Sequence, residues 1–421
     1  MHGRIRTFPA ALIATALAAT ACGAATPTAQ SPSRDTPAHV QPAPKPFKVS
    51  FSAKHMLTAA DAAFARTLWA KLAAHDGNVV VSPASISIAL QMAYAGARGK
   101  TAAEMAATMH LDPNTTSTDV WGAAAALVSN LELSSTKDSS VHLADAVWLQ
   151  RNFPVVPDFR AAMESGFRSA FHDTDFAAHP EDARKAINAD VADQTHDRIQ
   201  DLLPPGTDLS AARLVLTNAI YLKAAWAAPF DSKQTNAAPF TRADGKLVRP
   251  QTMHATEDVD YAATSGYQAV RLPCAGGRLA MTLLLPAKGQ PLTWPSAAPR
   301  FSSEMVDLAL PKFQFTWGAD LAKPLAELGM PTAFGDGADF TGMSPKPLRI
   351  SAVQHKAFIA VDEAGTEAAA ATAVDIMVGG AAITHPIPNM HFDRPFLFRI
   401  DDTATGLPLF LGKVADPTLG A

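Results

Sequence analysis

Near its C-terminus the chain reads Asp362-Glu-Ala-Gly-Thr-Glu-Ala-Ala-Ala-Ala-Thr-Ala-Val-Asp-Ile-Met-Val-Gly-Gly380. From position 366 onward, alternate positions of this run carry small or uncharged side chains: Thr366, Ala368, Ala370, Thr372, Val374, Ile376 and Val378. The intervening positions hold two carboxylates among other residues: Glu367, Ala369, Ala371, Ala373, Asp375 and Met377. A β-strand points alternate residues to opposite faces, so the first set suits burial and the second suits water. The run therefore indicates a strand kept outside its sheet, although four consecutive alanines also permit a surface helix or an Ala-rich linker.

The sequence around this run resembles the inhibitory members of the serpin family. Gly365–Thr372 is similar to the hinge of inhibitory serpins, and it follows the segment His355–Glu363. Further on, His391–Phe398 and Pro408–Val414 resemble the C-terminal strands of the family. Three motifs in the family's order make the resemblance specific.

The resemblance extends over nearly the whole body of the chain. Asn78–Tyr94 resembles the strand and buried helix beneath the family's main sheet, and Ile187–Ile199 resembles the helix that lies across that sheet. Thr217–Phe230 is similar to the third strand of the same sheet, and Leu325–Gly342 to the segment before its fifth strand. The resemblance implies an α+β serpin fold with three β-sheets, about eight or nine helices and an exposed reactive-centre loop.

The local patterns agree with an α+β fold, because helical segments precede most of the strands. Helical spacing and capping residues predict helices at 57–72, 82–96, 101–110, 119–133, 157–169 and 181–198. Alternating or β-branched segments predict strands at 78–81, 141–150, 214–222, 279–285, 306–310 and 396–400. One departure from the family is visible, since residues 287–304 are short for the helical excursion that many serpins have there.

The N-terminal 50 residues read as a processing segment and a tether. Two arginines precede the apolar stretch Phe8–Ala18, which is too short to span a bilayer, and Ala19-Thr-Ala-Cys22 follows it. This pattern fits either ordinary signal cleavage or a bacterial lipoprotein site in which Cys22 is lipidated. We expect a signal peptide at 1–21, a Pro/Ala-rich tether at 22–50 and the serpin domain at 51–421. The protein is then extracellular or at the cell surface, and any membrane contact is through the lipid on Cys22.

Composition narrows the choice of partners. The net charge of −4 gives no reason to expect a nucleic-acid partner. No Lys or Arg lies between Lys100 and Lys137, where glycosaminoglycan-activated serpins carry a basic helix, so a heparin-type activator is not expected. Apart from Cys22 the chain has one cysteine, Cys274, so the body has no intramolecular disulfide and we expect a buried, unreactive thiol. The expected form is a monomer without a cofactor.

Motifs of enzymes and metal sites are missing from the sequence. There is no Gly-x-Ser-x-Gly, His-Glu-x-x-His or Cys-x-x-Cys, and Gly335-Asp-Gly337 lacks the third glycine of a dinucleotide loop. The 13 histidines are scattered, and His385 with His391 make a poor metal site. We therefore expect no enzyme, no metal and no catalytic residue.

Several polar residues acquire a role only through the resemblance. Taken alone, Ser82 is a helix cap, and Ser85, Asn218 and His355 are satisfied polar residues of a helix and two strands. The resemblance places them in a buried cluster beneath the point at which the main sheet parts, and Trp226 at the upper end of that sheet. Breaking such a cluster costs about 1–3 kcal/mol for each group left unpaired, so it controls sheet opening.

The resemblance implies suicide inhibition of a protease. The hinge comprises Glu363, Gly365, Thr366, Glu367, Ala368, Ala369, Ala370, Ala371 and Thr372. The cleaved bond is expected near Met377, Val378, Gly379 and Gly380, with all positions from 377 to 385 left open. No Lys or Arg occurs between positions 364 and 393, which disfavours a trypsin-like target. The apolar and small residues there favour an elastase-like or subtilisin-like serine protease, with a cysteine protease as an alternative. A non-inhibitory serpin-fold binding protein is the competing hypothesis, followed by an exported lipoprotein enzyme or solute-binding protein.

Overall fold

The computed structural model describes residues 51–112, 116–133, 139–166, 171–366 and 386–419. Within these residues the helices are α1 (Phe51–Leu72), α2 (Pro83–Tyr94), α3 (Gly99–Thr108), α4 (Ser117–Leu133), α5 (Pro157–Gly166), α6 (Pro180–Gln194) and α7 (Ala322–Leu328). Short 3₁₀ helices occur at Ser232–Gln234 and Pro331–Phe334. None of the described helices has the length and apolar character needed to cross a membrane.

Strands occupy most of the second half of the chain. In the first half they are β1 (Val79–Val81), β2 (Ser139–Gln150), β3 (Phe171–Thr174) and β4 (Leu214–Ala225). The middle of the chain forms β5 (Asn236–Ala237), β6 (Phe240–Thr241), β7 (Leu247–Val248), β8 (Gln251–Ala263), β9 (Tyr267–Pro273), β10 (Leu279–Pro286), β11 (Ser302–Pro311) and β12 (Phe313–Asp320). The last strands are β13 (Ala352–Val361), β14 (Gly365–Thr366), β15 (Asn389–His391), β16 (Phe396–Asp402) and β17 (Leu407–Val414).

These strands form three sheets, as predicted. A nine-stranded sheet has the order β1-β17-β16-β10-β9-β8-β11-β15, with β5 paired to β8. A six-stranded sheet has the order β12-β13-β4-β2-β3, with β14 paired to β4. The third sheet is the hairpin β6-β7. Together with seven α-helices and two 3₁₀ helices in the described residues, this confirms the α+β architecture.

Most predicted elements are present, and their bounds differ for identifiable reasons. The helix predicted at 181–198 ends at Gln194, because the Thr195 hydroxyl donates to the Val191 carbonyl at 2.6 Å and the next two residues adopt positive φ. The helix predicted at 157–169 is described only to Gly166, and residues 167–170 lie outside the described part. The strand predicted at 214–222 continues to Ala225. Between Pro286 and Ser302 the chain forms no helix, which agrees with the predicted short excursion.

Both faces of the six-stranded sheet are covered. The main hydrophobic core lies on one face, where α2 packs against β2 and β4. Ser82 caps this helix by accepting a hydrogen bond from the Ser85 amide at 3.2 Å, and Pro83 occupies its first turn. A second apolar cluster lies on the opposite face, where α6 packs against β2 and the cluster includes Val215, Ala219 and Tyr221 of β4. Because β4 lies between two cores, 11 of its 12 residues are buried.

The pairing of β13 with β4 creates a distinctive joint in this sheet. The two strands run parallel and pair from Ala352 with Val215 to Ala357 with Ile220. The other neighbours of these strands, β12 and β2, are antiparallel to them. A strand entering between β13 and β4 from the hinge would run antiparallel to both, which is the more stable pairing per residue. We call this joint the β4–β13 seam.

Candidate functional site

The upper end of the seam holds a tight turn at residues 362–365. The Asp362 carboxylate accepts hydrogen bonds from the Ala364 amide at 2.8 Å and the Gly365 amide at 3.2 Å. Gly365 has a φ of +139°, and a Cβ there would lie 2.2 Å from the Ala224 carbonyl oxygen. Only glycine fits this approach of the hinge to β4.

Thr366 continues from this turn along the edge of β4. It pairs with Ala224 in the antiparallel sense, and Gly365 pairs with Ala225. Its hydroxyl donates to the Ala224 carbonyl at 3.1 Å, and the residue is only 1% exposed. The predicted hinge therefore begins as a short strand already paired with the six-stranded sheet.

Glu363 is held in place from two directions. Lys312 donates to one of its carboxylate oxygens at 2.7 Å, and the Thr235 hydroxyl donates to the other at 2.8 Å. Burial raises the pKa of Glu363, but hydrogen bonds from Lys312, from its own amide and from Thr235 outweigh burial and leave the pKa below its usual value. The glutamate at the start of the hinge is thus ionised, and its two partners hold it in place.

Trp226 stabilises the same turn through two hydrogen bonds. Its indole N–H donates to the Asp362 carbonyl at 2.9 Å, and its backbone amide donates to the Ala364 carbonyl at 2.9 Å. It is 3% exposed and forms a β-bridge with Cys274. Burial raises the pKa of the Cys274 thiol to about 12, so this cysteine is an unreactive packing residue, as predicted.

Further down the seam, the predicted polar residues meet in one buried group. Asn218 on β4 and His355 on β13 are direct partners across the seam, and the His355 Nδ1 contacts the Asn218 side-chain oxygen. The His355 Nε2 accepts from the Ser82 amide at 3.4 Å. The Asn218 side-chain nitrogen also contacts the Ser85 hydroxyl. The structure thus brings together all four residues that the resemblance placed there.

Sequence analysis missed a fifth member, Asp145 on β2. Its Oδ1 accepts from the Ser85 hydroxyl and from the Asn218 side-chain amide, each at 2.6 Å, whereas its buried Oδ2 has no partner. The signal was present in the alternation of β2, because Asp145 occupies an inward position in a row otherwise made of Val141, Leu143, Val147 and Leu149. We name Ser82, Ser85, Asp145, Asn218 and His355 the seam cluster.

Both ionisable members of the seam cluster are disposed to be neutral. Burial raises the pKa of Asp145 well above its ordinary value, although hydrogen bonds from Ser85 and Asn218 act against the shift. Burial lowers the pKa of His355 to about 3. The closed seam therefore prefers an uncharged carboxyl and an uncharged imidazole.

Some predicted site residues lie outside the described part of the chain. These are Glu367 to Thr372 of the hinge, the expected cleavage region at Met377, Val378, Gly379 and Gly380, and Cys22. Among the described residues, no group of three or more acidic, histidine or cysteine side chains is arranged to hold a metal ion.

The sequence model of a family described as "Serpin (serine protease inhibitor)" matches residues 59–417. The chain belongs to the serpin family. It is 34% identical over 367 residues to an uncharacterized serpin-like protein of Thermococcus kodakarensis, with 85% of each chain covered. It is likewise 34% identical over 382 residues to the leukocyte elastase inhibitor of Bos taurus, covering 86% of this serpin and 99% of that inhibitor.

Solved structures agree with this assignment. Human thyroxine-binding globulin in complex with its hormone matches this serpin with a TM-score of 0.77 and 27% identity, covering 87% of this chain and 100% of that one. The serpin fold predicted from the sequence is therefore confirmed. The family to which the chain belongs is described as one of protease inhibitors rather than of catalysts.

Proposed function

We propose that this serpin is a suicide-substrate inhibitor of a serine protease, acting by insertion of its cleaved loop into the β4–β13 seam. The observation that carries the proposal is the antiparallel pairing of Gly365 and Thr366 with the upper end of β4. The described β13–β4 ladder ends at Ala357 and Ile220. Further along β4, the strand paired with this edge is β14 instead of β13. The hinge lies where an incoming strand has to start.

The register of this pairing specifies what the loop would bury. If the run after Thr366 continued along β4, Ala368, Ala370 and Thr372 would lie opposite Leu222, Ile220 and Asn218. These positions of β4 face the main core, so the small uncharged set of the alternation would be the buried one. Glu367 in the other set would lie opposite Lys223, a pairing of opposite charges. The sequence and the observed register thus support the same inserted strand.

The energetics of insertion favour a long strand over a short one. Twelve residues at roughly 3.3 Å each extend about 40 Å, close to the whole length of β4. Each new backbone hydrogen bond contributes about 1 kcal/mol net, so only many of them, together with burial of the apolar set, outweigh the disruption of the seam cluster. Cleavage of the loop supplies the free end that such an insertion requires.

Trapping follows from the order of events. The protease's serine attacks the scissile carbonyl, the peptide bond breaks, and the loop's new C-terminal residue becomes an ester on the enzyme while the amine side departs. Insertion then moves the ester and the attached enzyme along the sheet before water reaches the ester. Distortion of the enzyme's active site halts hydrolysis at this stage.

The composition of the loop supports an elastase-like or subtilisin-like target. No Lys or Arg lies between positions 364 and 393, so a specificity pocket that requires a cation finds no residue to bind. The similarity to a leukocyte elastase inhibitor points in the same direction. A cysteine protease, which also passes through an acyl-enzyme, is the alternative target.

A carrier function is the second candidate, because the structure of thyroxine-binding globulin is among those similar to this chain. A single experiment separates the two. The full-length protein is mixed with elastase and with subtilisin, the products are run on denaturing gels, and the released C-terminal peptide is weighed by mass spectrometry. We expect a complex that survives denaturation, and a peptide mass that identifies the bond between 377 and 385. Loop cleavage without such a complex, across a panel of serine and cysteine proteases, would favour the carrier.

We also propose that the protein is exported and anchored through lipid on Cys22, as a monomer. The apolar segment before Ala19-Thr-Ala-Cys22 supports the export of the chain, and the cysteine supports lipidation. Labelling of bacteria expressing the gene with a radioactive fatty acid tests the anchor. Label in the wild type that disappears in Cys22→Ser supports the lipoprotein, whereas unlabelled protein in the medium supports ordinary secretion.

A further inference from the structure

A segment of chain crosses the outer face of the seam. It comprises residues 195–203, follows α6 directly, and we call it the crossing segment. On β13, the Lys356 ammonium donates to the Asp201 carbonyl at 2.6 Å, and the Arg198 guanidinium lies 5.7 Å from the centre of the Phe358 ring. The crossing segment is therefore attached to the strand on one side of the seam.

On the other side of the seam the attachment is aromatic. The ring of His196 meets the ring of His142 on β2 edge-on, with 4.7 Å between centroids and an interplanar angle of 78°. Both rings also contact Tyr221 on β4, at 5.5 Å from His196 and 5.7 Å from His142. The crossing segment thus spans β2, β4 and β13, and two histidines hold one of its ends.

The backbone at this end is held in an unusual conformation. His196 and Asp197 have φ values of 51° and 60°, in the left-handed region that non-glycine residues seldom occupy. Residues in this region persist where surrounding contacts hold them. The side-chain contacts of His196 with His142 and Tyr221 supply such a constraint. Their loss would let the His196 end of the segment relax, while Ile199 and Leu203 keep its other end buried in the second apolar cluster.

An inserting strand has to pass directly beneath these rings. In the register set by Thr366, Ala369 would lie opposite Tyr221 and Ala371 opposite Ala219, both on the face that the crossing segment covers. Small residues at these loop positions leave room under the segment. Its attachment to the sheet nevertheless restrains separation of β4 from β13, because it joins strands on both sides of the seam.

We propose that the contact of His142 with His196 forms an acid-sensitive latch, which fastens the crossing segment over the closed seam and releases it when the His142 imidazole gains a proton. The latch itself stands on the observed contacts, and its effect on insertion rests on the proposed function. A positive charge on His142 is disfavoured by burial and by the neighbouring His196, whereas neutral rings with centroids 4.7 Å apart pack with an edge against a face. Release would make the seam easier to open at acidic pH.

The direction of the pH dependence follows from His142. Burial, and then the neighbouring His196, lower the pKa of His142 below its ordinary value of 6.5. A released His142 regains the ordinary value and so binds a proton more tightly than the latched form does. The latch is therefore at full strength above pH 6.5 and weakens as the pH falls below it.

Other ionisable groups near the latch do not reverse this direction. Tyr221 stays neutral, because burial raises its pKa above 10 even though the charge of Arg198 acts against the shift. The remaining ionisable groups of the crossing segment and of the three strands beneath it, on the covered face, are Asp197, Asp201, Lys223 and Lys356. Burial lowers the pKa of Lys356 from 10.5, and the charge of Asp201 acts against that shift. The ordinary pKa of His142, 6.5, lies inside the range from pH 7.5 to 5.5, so the change is assigned to this histidine.

Hydrogen exchange of the crossing segment tests the latch without any protease. Amide protection of residues 195–203 in the full-length protein is measured at pH 7.5 and pH 5.5 and corrected for the intrinsic exchange rate at each pH. Uptake of one proton on release is expected to lower the protection by up to about tenfold over this range. Wild-type protection that stays constant or rises on acidification would overturn the proposal.

Three variants assign the effect to the latch. His142→Gln removes the titrating ring and is expected to abolish most of the change in protection. His196→Asn removes the ring that packs against His142 and should reduce the change in protection, and asparagine is one of the residues that tolerate positive φ. The matched control is His110→Asn, because His110 has a φ of 55° and lies away from the seam on the loop after α3. It should behave like the wild type.

The outcomes separate the latch from the proposed function. A folded His142→Gln protein whose amide protection changes with pH as in the wild type would rule the latch out. If that variant does not fold, an unaltered change of protection with pH in His196→Asn would rule it out instead. Trapping of subtilisin, timed at both pH values by denaturing gel, then tests the link to insertion, with faster trapping at pH 5.5 only when both histidines are present. If no covalent complex forms at either pH while the exchange results hold, the inhibitory function fails and the latch remains.

Discussion

The upper end and the middle of the β4–β13 seam are built in opposite ways. At the upper end the strands have already parted, and Gly365 and Thr366 occupy the edge of β4. In the middle, Asn218 and His355 still face each other directly and are buried. The upper end is held by backbone hydrogen bonds and an ion pair partly open to solvent, whereas the middle is held by buried polar groups that lack access to water.

The difference indicates where the resistance to opening resides. The β13–β4 ladder has already ended at Ile220, so a strand that extends β14 along β4 above this residue displaces no backbone partner and costs little. In the middle, a strand that enters between Asn218 and His355 must break their contact, and in the observed register Thr372 would replace His355 as the neighbour of Asn218. The upper end therefore sets where insertion begins, and the seam cluster sets how readily it proceeds.

The strongest test asks whether the loop really follows the upper end into the seam. Ala370→Glu would place a carboxylate opposite Ile220, in the main core, and we expect covalent trapping to be abolished while the loop is still cleaved. Denaturing gels with subtilisin measure the loss of complex. The matched control is Glu367→Gln on the outward set, which should still trap. A persistent complex in Ala370→Glu would mean that the loop does not extend past the upper end in this register.

The seam cluster provides the next largest effect. His355→Ala leaves the Asn218 oxygen and the Ser82 amide without their partner, and we expect the native state to lose about 3 kcal/mol. Tryptophan fluorescence during urea denaturation measures the change. His254→Ala is the control, since the His254 Nε2 has no hydrogen-bond partner and its removal leaves no such group behind. Equal losses of stability in the two variants would show that His355 contributes no more to the native state than a histidine outside the seam cluster.

The contributions of His355 and Asp145 to the stability of the native state should change with pH in opposite directions. Because the folded pKa of His355 is lowered to about 3, its contribution is complete above pH 6.5 and falls as the pH drops toward 3. Because the folded pKa of Asp145 is raised, its contribution is complete below its unfolded pKa of 3.8 and falls as the pH rises above that value. Between pH 3.8 and 6.5 the two contributions therefore change in opposite directions.

Single substitutions should expose each slope. Relative to the wild type, Asp145→Asn is expected to lose stability on acidification from pH 6.5 to 4.5, and His355→Gln on alkalinisation over the same range, each at up to about 1.4 kcal/mol per pH unit. Urea denaturation at several pH values provides the measurement, and the double variant serves as the control because its slope should return to that of the wild type. A wild-type slope that survives in both single variants would place the pH dependence elsewhere in the molecule.

The sequence was sufficient for the fold, and its resemblance to the serpin family was sufficient to gather four of the five cluster residues. The Ser82 cap and the C-terminal strands are local patterns that the structure reproduces, whereas the hinge alternation after Thr366 lies outside the described residues. Asp145 escaped because an aspartate in a strand is ordinarily at the surface, and its burial depends on Ser85 and Asn218, 60 and 73 residues away in sequence. The His142–His196 contact escaped for the same reason, since only the fold of the crossing segment brings the two rings together.

The smallest effect concerns the ion pair at the upper end. The Lys312 side chain is 37% exposed and that of Glu363 is 18% exposed, so solvent screens their attraction. Lys312→Met should lower the stability of the native state by less than about 1 kcal/mol, and 1 M NaCl should remove most of the difference from the wild type. Urea denaturation at low and high salt measures both quantities, with Lys323→Met as a control, because Lys323 is a more exposed partner of Glu327. A loss of stability as large as that in His355→Ala would show that the upper end contributes as much as the seam cluster. Resistance to opening would then reside where the hinge enters as well as where Asn218 meets His355.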